Sequence, residues 1–482
     1  MRYDAIIIGS GFSGICMGIK LQEKGIHNFI IIEKSDEVGG TWRENTYPGA
    51  ECDIPSALYS FSFEPYPYWE YKWSHQPQIL EYLRYCANKH KLYEHIRFNQ
   101  ELVKATWNED QKDWVIYTKD TQYTSKTMIT AIGQLHHPST PNIPGLESFS
   151  KPYFHSAKWD HSINLSNKKV GVIGNAASAI QFIPEIAKQA KELIIFQRTA
   201  NWMLPKQDRL YKEWEKKLVT ELPFLLKLYR LKIWLLGGAL FLMMKDGNKI
   251  LRSIYQNKTK KYIKQHIKDP EIIDKLIPKY PLGAKRLLFS DNYYEAIAKE
   301  NVQLVDDPIN IIVPEGIKTK KGDIFELDHI IFGTGFKANP FLLGLEITGR
   351  SGMRIQSSWA NGAKTYLGMT TQYFPNLFIM YGPNTNLGHN SIILMSEAQS
   401  KYISQCVDSI TKQKWHSLEI KEEILQKHYQ QLQDRLKNMI WNKIDNSWYK
   451  SAHGNIENNW PGRTMEYTRL TKKVNFSHYN KD

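Results

Sequence analysis

The stretch Tyr3-Asp4-Ala5-Ile6-Ile7-Ile8-Gly9-Ser10-Gly11-Phe12-Ser13-Gly14 decides the fold of this 482-residue chain. Its apolar run predicts a buried strand, its glycines have the spacing Gly-x-Gly-x-x-Gly, and a helical pattern follows. A second apolar run, Phe29 to Ile32, ends in the acidic residue Glu33. This order predicts a βαβ unit that binds a dinucleotide.

The positions of this motif have separate physical roles. Gly9 permits the tight turn, Gly11 lets the backbone approach a pyrophosphate, and Gly14 lets the helix pack closely against the strand. The free N–H groups at the start of the helix face the phosphates, and Glu33 can accept hydrogen bonds from a ribose diol. A glycine-rich turn in an unrelated α/β domain is the alternative. The residues expected to contact the dinucleotide are Gly9, Gly11, Phe12, Ser13, Gly14 and Glu33.

A second unit of the same kind begins at Lys169–Ile173, which reads as a strand. A small-residue turn, a helix from about Ile180 to Gln189 and a strand over Leu193–Phe196 follow. Ala176 replaces the second glycine of the motif and puts a methyl group where the pyrophosphate comes close. Arg198 stands near the acid position, and an arginine there suits the 2′-phosphate of NADP. The expected contacts are Gly174, Asn175, Ala176, Ala177, Ser178, Arg198 and Thr199.

A third stretch, Gly39–Asp53, combines two small residues, Trp42, an aromatic-Pro-Gly turn and Asp53 four residues after the glycine. It resembles the long fingerprint of type I Baeyer–Villiger monooxygenases, which belong to the flavin-containing monooxygenase superfamily. General flavin-containing monooxygenases usually lack this Trp and this Asp. The resemblance therefore concerns the reaction as well as the cofactor.

Three further segments extend the resemblance along the chain. Phe149–Asp160 resembles the family's short signature and departs from it at Lys151, where the family has glycine. Ile331–Phe336 resembles the strand end that returns the chain to the flavin domain. Gly382–His389, which contains Asn384, resembles the loop that closes over the flavin ring.

The resemblance implies FAD and NADPH as cofactors and O2 as a substrate. In the family NADPH reduces FAD, and the reduced flavin takes up O2 at C4a to give a peroxide. The anionic peroxide attacks a ketone and yields an ester or lactone, whereas the protonated form oxidises sulfur or nitrogen. We therefore expect a hydrophobic ketone or sulfide as the small-molecule partner.

The resemblance also assigns site residues. Arg286, in a stretch that matches the family's Lys-Arg pair, would stabilise the anionic oxygen, and Asp53 would hold its guanidinium in an ion pair. Lys285 would reach the 2′-phosphate together with Arg198. A basic loop at a domain edge is the alternative for Lys285 and Arg286. The remaining expected cofactor contacts are Gly40, Thr41, Trp42, Asp53 and Asn384.

Together these motifs predict an α/β fold with two dinucleotide-binding, Rossmann-like domains, the NADP domain inserted in the FAD domain. A chain of 482 residues exceeds the size of a single core. We expect the FAD domain to span residues 1–145 and 321–482, and the NADP domain 153–320, with a helical insert at about 206–282. The last FAD segment would carry a C-terminal active-site loop with Trp448 as its aromatic residue.

Within the insert, Ile233 to Met244 is a twelve-residue apolar run preceded by basic residues. This run is too short to span a bilayer, which needs about 20 residues. It can be a buried helix, a wall of the substrate channel or an interfacial patch. We favour the first two, with membrane contact as the minor alternative.

The composition of the chain bears on its partners, its cellular location and metal binding. The net charge of +14 comes from dispersed lysines without a nucleic-acid module, so we expect no nucleic-acid partner. The four cysteines are scattered and the first strand begins by residue 3, which predicts a cytoplasmic protein without a signal peptide. We expect no metal, since His136 and His137 lack partners nearby in sequence. The oligomeric state is open.

Two other functions stay open at this point. One is a general flavin-containing monooxygenase that makes N- or S-oxides, which the departures at Lys151 and Ala176 allow. The other is a non-catalytic flavoprotein that binds nucleotide and senses redox state. Trp42, Asp53 and Trp159 argue against the first function, and Arg286 with both dinucleotide motifs argues against the second.

Overall fold

The fold contains two five-stranded parallel β-sheets, with helices in the connections between their strands. The computed structural model describes residues 2–444, 447, 449–451 and 453–482. Trp448 lies outside the described residues. The strands are β1 (Arg2–Tyr3), β2 (Ala5–Ile8), β3 (Phe29–Ile32), β4 (Ile96–Arg97), β5 (Leu102–Asn108), β6 (Asp113–Thr118), β7 (Gln122–Ser125), β8 (Met128–Thr130), β9 (Tyr153–His155), β10 (Lys169–Ile173), β11 (Glu192–Phe196), β12 (Met203–Leu204), β13 (Leu288–Phe289), β14 (Val302–Val305), β15 (Ile309–Val313), β16 (Gly316–Thr319), β17 (Ile324–Glu326), β18 (His329–Phe332), β19 (Glu346–Thr348), β20 (Leu377–Ile379), β21 (Leu418–Ile420) and β22 (Tyr479–Lys481). The helices are α1 (Phe12–Glu23), α2 (Thr41–Glu44), α3 (Gln76–Lys89), α4 (Ala179–Ile186), α5 (Glu213–Glu221), α6 (Pro223–Met244), α7 (Lys249–His266), α8 (Pro270–Leu276), α9 (Tyr293–Ile297), α10 (Ile355–Ser358), α11 (Ile393–Thr411), α12 (Glu422–Lys437) and α13 (Thr464–Leu470).

The first parallel sheet has the order β20-β8-β2-β3-β4. Its strands β2 and β3 are wholly apolar because both faces of the sheet are covered, one by α1 and α11 and the other by residues of β5 and β6. Strand β20, from far along the chain, pairs with β8, so the segment after the second sheet completes the first one. Tyr3, which we expected in the first inner strand, pairs instead with Ser125 in a neighbouring sheet, and the chain changes sheets at Asp4.

The glycine-rich turn after β2 leaves no space for side chains. Gly9 has φ +103°, in the region that favours glycine. A Cβ atom on Gly14 would lie 1.9 Å from the carbonyl oxygen of Gly9. The predicted roles of these glycines in the turn and in helix–strand contact therefore follow from their surroundings.

The second parallel sheet has the order β14-β11-β10-β18-β9. Helix α4 follows β10 as expected, although it ends at Ile186 and not at Gln189. Strand β18 pairs with β10 over His329–Phe332. Because this strand belongs to the second sheet, we propose that the chain returns to the FAD domain after Phe332 rather than at residue 321.

Helices α5 to α8 form the insert between β12 and β13. The expectation that the apolar run is buried or lines a channel fits only one side of α6. Phe241, Met243 and Met244 are buried, whereas Leu235 and Leu236 are 56% and 59% exposed. Among the residues that the structure describes, no helix is long and apolar enough to traverse a bilayer.

Candidate active site

The first glycine-rich turn presents an uncapped helix start. Helix α1 begins after Gly11 without a side-chain cap and has no acidic residue in its first turn. Glu33 accepts hydrogen bonds from the backbone N and the Oγ of Ser10, both at 2.8 Å. Phe12 packs edge-on against Tyr59, with ring centroids 5.1 Å apart. These features suit a dinucleotide phosphate, since unpaired N–H groups at a helix start bind anions.

The fingerprint stretch lies directly opposite this turn. Gly40 has φ +53°, and a Cβ there would lie 3.1 Å from the Cα of Gly11. Thr41 and Trp42 begin the short helix α2. The indole Nε1 of Trp42 donates to the hydroxyl of Tyr59 at 3.1 Å. Gly40, Thr41 and Trp42 therefore form a second wall that faces the turn.

Helix α4 of the second unit fixes the continuation of this stretch. Tyr47 donates its hydroxyl to Gln181 Oε1 at 2.8 Å, and Gln181 Nε2 donates to the carbonyl of Glu51 at 2.9 Å. A Cβ on Gly49 would lie 2.5 Å from the carbonyl oxygen of Gln181. The loop that leads to Asp53 is thus packed against the helix that follows the other dinucleotide turn.

A buried lysine holds the same loop from its other side. The ammonium of Lys206 pairs with Glu51, and it donates to the carbonyl of Cys52 at 3.3 Å. The Lys206 side chain is only 2% exposed. Burial raises the pKa of Glu51, and the charge of Lys206 opposes part of that rise. Lys206 lies just after β12, so the second unit again positions the residues next to Asp53.

Asp53 forms an ion pair with Arg286. A guanidinium nitrogen of Arg286 lies 2.5 Å from Oδ2 of Asp53, and the two side chains keep 34% and 23% exposure. The carboxylate of Asp53 raises the pKa of Arg286 above its ordinary value, against the effect of burial. The pair therefore presents a permanent positive charge that substrate-sized groups can still reach.

The buried Tyr449 and the partly buried Tyr381 lie near this guanidinium. Burial raises the pKa of Tyr449 to about 12 and raises that of Tyr381 as well, so both phenols are neutral at physiological pH. Tyr381 donates to Asn386 Oδ1 at 2.8 Å. These hydroxyls are the polar groups around Arg286 that the sequence did not identify.

Asn384 connects the predicted flavin loop to the C-terminal segment. Its Nδ2 donates to the carbonyls of Ile456 at 2.8 Å and Asn459 at 3.2 Å. Nearby, Asn386 Nδ2 donates to Asn459 Oδ1 at 2.7 Å. The Asn384 amide therefore holds the C-terminal segment, which leaves its carbonyl oxygen as the group available to a cofactor.

The second glycine-rich turn has a similar geometry to the first. Gly174 has φ +106°, and a Cβ there would lie 2.5 Å from the carbonyl oxygen of Gly333. Asn175 Nδ2 donates to Gln197 Oε1 at 2.6 Å. Ala176 is exposed, so its methyl group stands on the open side of the turn. The turn continues through Ala177 and Ser178 into α4, whose first turn has no side-chain cap and no acid.

Arg198 and Lys285 lie close enough for their charges to interact. Burial, and then the charge of Arg198, lower the pKa of Lys285. Lys285 Nζ lies 4.8 Å from the ring centroid of Tyr280. Within the described residues no carboxylate lies at ion-pair distance from either cation, and Thr199 follows Arg198 directly. Two cations that repel each other suit a phosphate dianion between them.

His155 and Trp159 of the short-signature segment, and the pair His136 and His137, have packing contacts. His155 is buried and its Nδ1 accepts from the backbone N of Ala157 at 3.1 Å. Trp159 packs against Phe182 of α4 with ring centroids 5.4 Å apart. His137 bonds to the carbonyl of Leu343 at 3.1 Å, and burial lowers the pKa of its neighbour His136 to about 4.

The sequence did not predict a cluster of Glu51, His75 and Asp208, whose ligand atoms lie within 4.8 Å of one another. Lys206 pairs with Glu51 in this cluster and already supplies a positive charge there. The three acceptors come from segments distant in sequence, so only the fold brings them together.

The known proteins that this chain resembles include monooxygenases and a structure with FAD and NADP bound. A family model described as pyridine nucleotide-disulphide oxidoreductase matches residues 6–222. A Baeyer–Villiger monooxygenase of Pseudomonas aeruginosa is 39% identical over 98% of this chain and 90% of its own length. An FAD-binding monooxygenase, ktnD, of Aspergillus niger is 36% identical over 99% of this chain and 81% of its own. The crystal structure of OTEMO in complex with FAD and NADP superimposes with a TM-score of 0.89 at 27% identity, covering 100% of this chain and 99% of that one.

The facing cations generate a prediction about nucleotide choice. Arg198→Ala and Lys285→Ala should each weaken NADPH binding by about 1.5–3 kcal/mol, because the 2′-phosphate loses a charged partner. NADH binding should change little, since NADH lacks that phosphate. Lys285 loses its charge as pH rises, and the preference for NADPH should fall with it. Because the pKa of Lys285 is lowered, this fall should begin at a lower pH than it would for an ordinary lysine. Anaerobic flavin reduction with each nucleotide measures both effects, and equal rates with NADH and NADPH in the unmodified protein would contradict the assignment.

The buried Lys206–Glu51 pair generates a stability prediction. Lys206→Met should destabilise the protein by about 3 kcal/mol, because it leaves the largely withdrawn carboxylate of Glu51 with only His75 beside it. Burial raises the pKa of Glu51 in the folded state, so the loss should be smallest at low pH, where the carboxyl is protonated, and should grow as pH rises and the carboxyl ionises. Urea denaturation at several pH values measures it. Lys151→Met, which removes the exposed pair with Asp328, is the control and should cost less than about 1 kcal/mol.

Proposed function

The chain belongs to the Baeyer–Villiger monooxygenases, and we propose that it inserts one oxygen atom of O2 next to the carbonyl of a hydrophobic ketone to give an ester or lactone. The observation that carries this proposal is the Asp53–Arg286 ion pair; its aspartate ends the fingerprint stretch, whose Gly40 approaches Gly11 of the first dinucleotide turn. FAD reduced by NADPH supplies the activated oxygen when both cofactors are bound. The protein residues bind, orient and stabilise charge.

The first turn and the fingerprint stretch form the FAD site in this proposal. The start of α1 offers unpaired N–H groups to the phosphates through Gly11, Phe12 and Ser13, and Glu33 offers its remaining acceptor sites to a ribose. Trp42 lies against Tyr59 and shapes the wall of the cavity. NADPH binds at the second turn, with its 2′-phosphate between Arg198 and Lys285.

Arg286 has the central electrostatic role. Attack on a carbonyl carbon transfers negative charge to oxygen, and a fixed cation aimed at that oxygen lowers the barrier. An arginine keeps its charge at every working pH, and Asp53 holds the guanidinium in place. The neutral phenols of Tyr381 and Tyr449 lie in the same region, where Tyr381 donates to Asn386.

The proposal also includes sulfoxidation as a side reaction and a cytoplasmic location. A permanent cation favours an anionic oxidant, which attacks carbonyl carbon, and sulfoxidation is the expected side reaction of its protonated form. A cytoplasmic location agrees with four cysteines that are all free and buried.

The ion pair gives a prediction that separates reduction from oxygenation. Arg286→Ala should retain FAD and accept hydride from NADPH, but lose ketone oxygenation by about 10²-fold or more. Asp53→Asn should lower oxygenation far more than FAD content. The double variant Asp53→Ala/Arg286→Ala should be scarcely worse than Arg286→Ala alone, because the two residues act as a unit. Stopped-flow spectra with O2 and product yields measure these effects.

The control for this series is Arg84→Ala, which removes a surface pair with Glu37 and should leave oxygenation unchanged. Normal ketone turnover by Arg286→Ala would show that the cation has another role.

The reaction class is tested with a panel of ketones, sulfides and amines under isotope-labelled O2. Some hydrophobic ketone should be converted to an ester or lactone that contains one labelled oxygen atom, with NADPH consumed in equal amount. Oxidation of sulfides and amines with no ketone accepted would indicate a general flavin-containing monooxygenase. NADPH-dependent flavin reduction without any oxygenated product would indicate a redox-sensing flavoprotein.

A further inference from the structure

Helix α6 exposes an apolar stripe on the side that faces away from the protein. Phe224, Leu228, Leu231 and Leu235, here called the apolar ridge, are 55%, 56%, 48% and 56% exposed. Their spacing of three or four residues puts them on one face of the helix, over a length of about 16 Å. A helix at a protein surface normally exposes polar residues to water on this face. Contact with an apolar partner would remove the ridge from water, so we expect the ridge to bind one.

The opposite face of α6 holds the helix flat against the protein. Arg230 is buried and donates to the carbonyl of Ala57 and to Ser60 Oγ, the latter at 2.7 Å. Gly237 packs so closely that a Cβ there would lie 2.6 Å from the carbonyl oxygen of His389. These contacts fix α6 along the surface, and its exposed stripe therefore faces outward as a fixed feature of the fold.

Positive charge flanks the apolar ridge. At 100° per residue, Lys227 and Lys232 fall on opposite sides of the stripe, and both are exposed. No acidic residue occurs in α6 or in α7, whereas α7 carries a series of lysines. The margins of the ridge on α6 are therefore cationic, while the three glutamates of the neighbouring α5 are paired with Arg209, Lys216 and Lys217.

The preceding helix continues this surface. Trp214 and Leu218 of α5 and Leu222 directly after it recur every four residues and are 61%, 37% and 42% exposed. Helix α5 packs alongside α6. Tryptophan is favoured at membrane–water interfaces, where its apolar body and polar N–H reach different environments.

We propose that the apolar ridge attaches the protein to the surface of a bilayer that contains anionic lipid. An apolar helix face bordered by lysines is the pattern of helices that lie in the plane of a membrane interface. The leucines and Phe224 would enter the boundary between headgroups and acyl chains, and Lys227 and Lys232 would pair with lipid phosphates. Attachment is peripheral, because no described helix is long and apolar enough to cross.

A second copy of the chain fits this surface less well. A two-fold interface sets the same patch against itself, so the lysines beside the ridge would face lysines. Since α6 has no carboxylate to neutralise them, the contact would bury apolar area against like-charge repulsion. An anionic lipid surface complements both features of the patch at once.

Vesicle flotation of the purified holoenzyme tests the proposal. The protein should float with vesicles of phosphatidylcholine and phosphatidylglycerol, and much less with phosphatidylcholine alone. Leu228→Gln/Leu231→Gln/Leu235→Gln should weaken binding by about tenfold or more, because apolar side chains no longer leave water. Lys227→Gln/Lys232→Gln should remove the preference for anionic vesicles, and added salt should do the same.

The matched control is Val103→Gln/Tyr117→Gln/Ile324→Gln, which alters exposed apolar side chains elsewhere and should bind vesicles like the unmodified protein. All variants should retain FAD and their melting temperature, since the substituted side chains are exposed. Equal vesicle binding by the ridge variant and the control, or no flotation of the unmodified protein, would overturn the proposal. A concentration-dependent dimer in light scattering that only the ridge variant abolishes, without flotation, would identify a second copy as the partner. None of these measurements depends on the ketone reaction.

Discussion

The ion pair between Asp53 and Arg286 is the interaction on which the rest of the site depends. Its two members come from distant parts of the chain, and the loop that carries Asp53 is held by residues of the second unit. Gln181 and Lys206, both of the second unit, fix the loop that ends at Asp53. A charged pair that is partly withdrawn from water is stable only when its geometry is well supported. The packing of the two units against each other is therefore also the assembly of the site.

The sequence predicted the parts of the structure that local patterns determine. The glycine turns at Gly9 and Gly174, and the strands before and after them, lie where their apolar runs and spacing indicated. The family resemblance brought together Asp53 and Arg286, which no local pattern could do. It also predicted a cofactor contact for Asn384, whose amide nitrogen proves to hold the C-terminal segment.

Features that depend on tertiary packing were not predictable from the chain. Lys206 is a common residue in an ordinary position, and only burial beside Glu51 gives it a structural role. Tyr381 and Tyr449 reach Arg286 from two segments whose approach no periodicity encodes. The apolar run of the insert suggested a buried or channel-lining helix, yet hydrophobicity alone does not indicate which side of a helix the protein covers. Leu235 and Leu236 remain exposed for that reason.

The neighbouring cations Arg198 and Lys285 have a consequence for the proposed function. A nucleotide phosphate held between them, as proposed, would restrain the segment that carries Lys285. Arg286 is the next residue in that segment, and it pairs with Asp53. Retention of the nucleotide would then be coupled to the placement of the Arg286 charge.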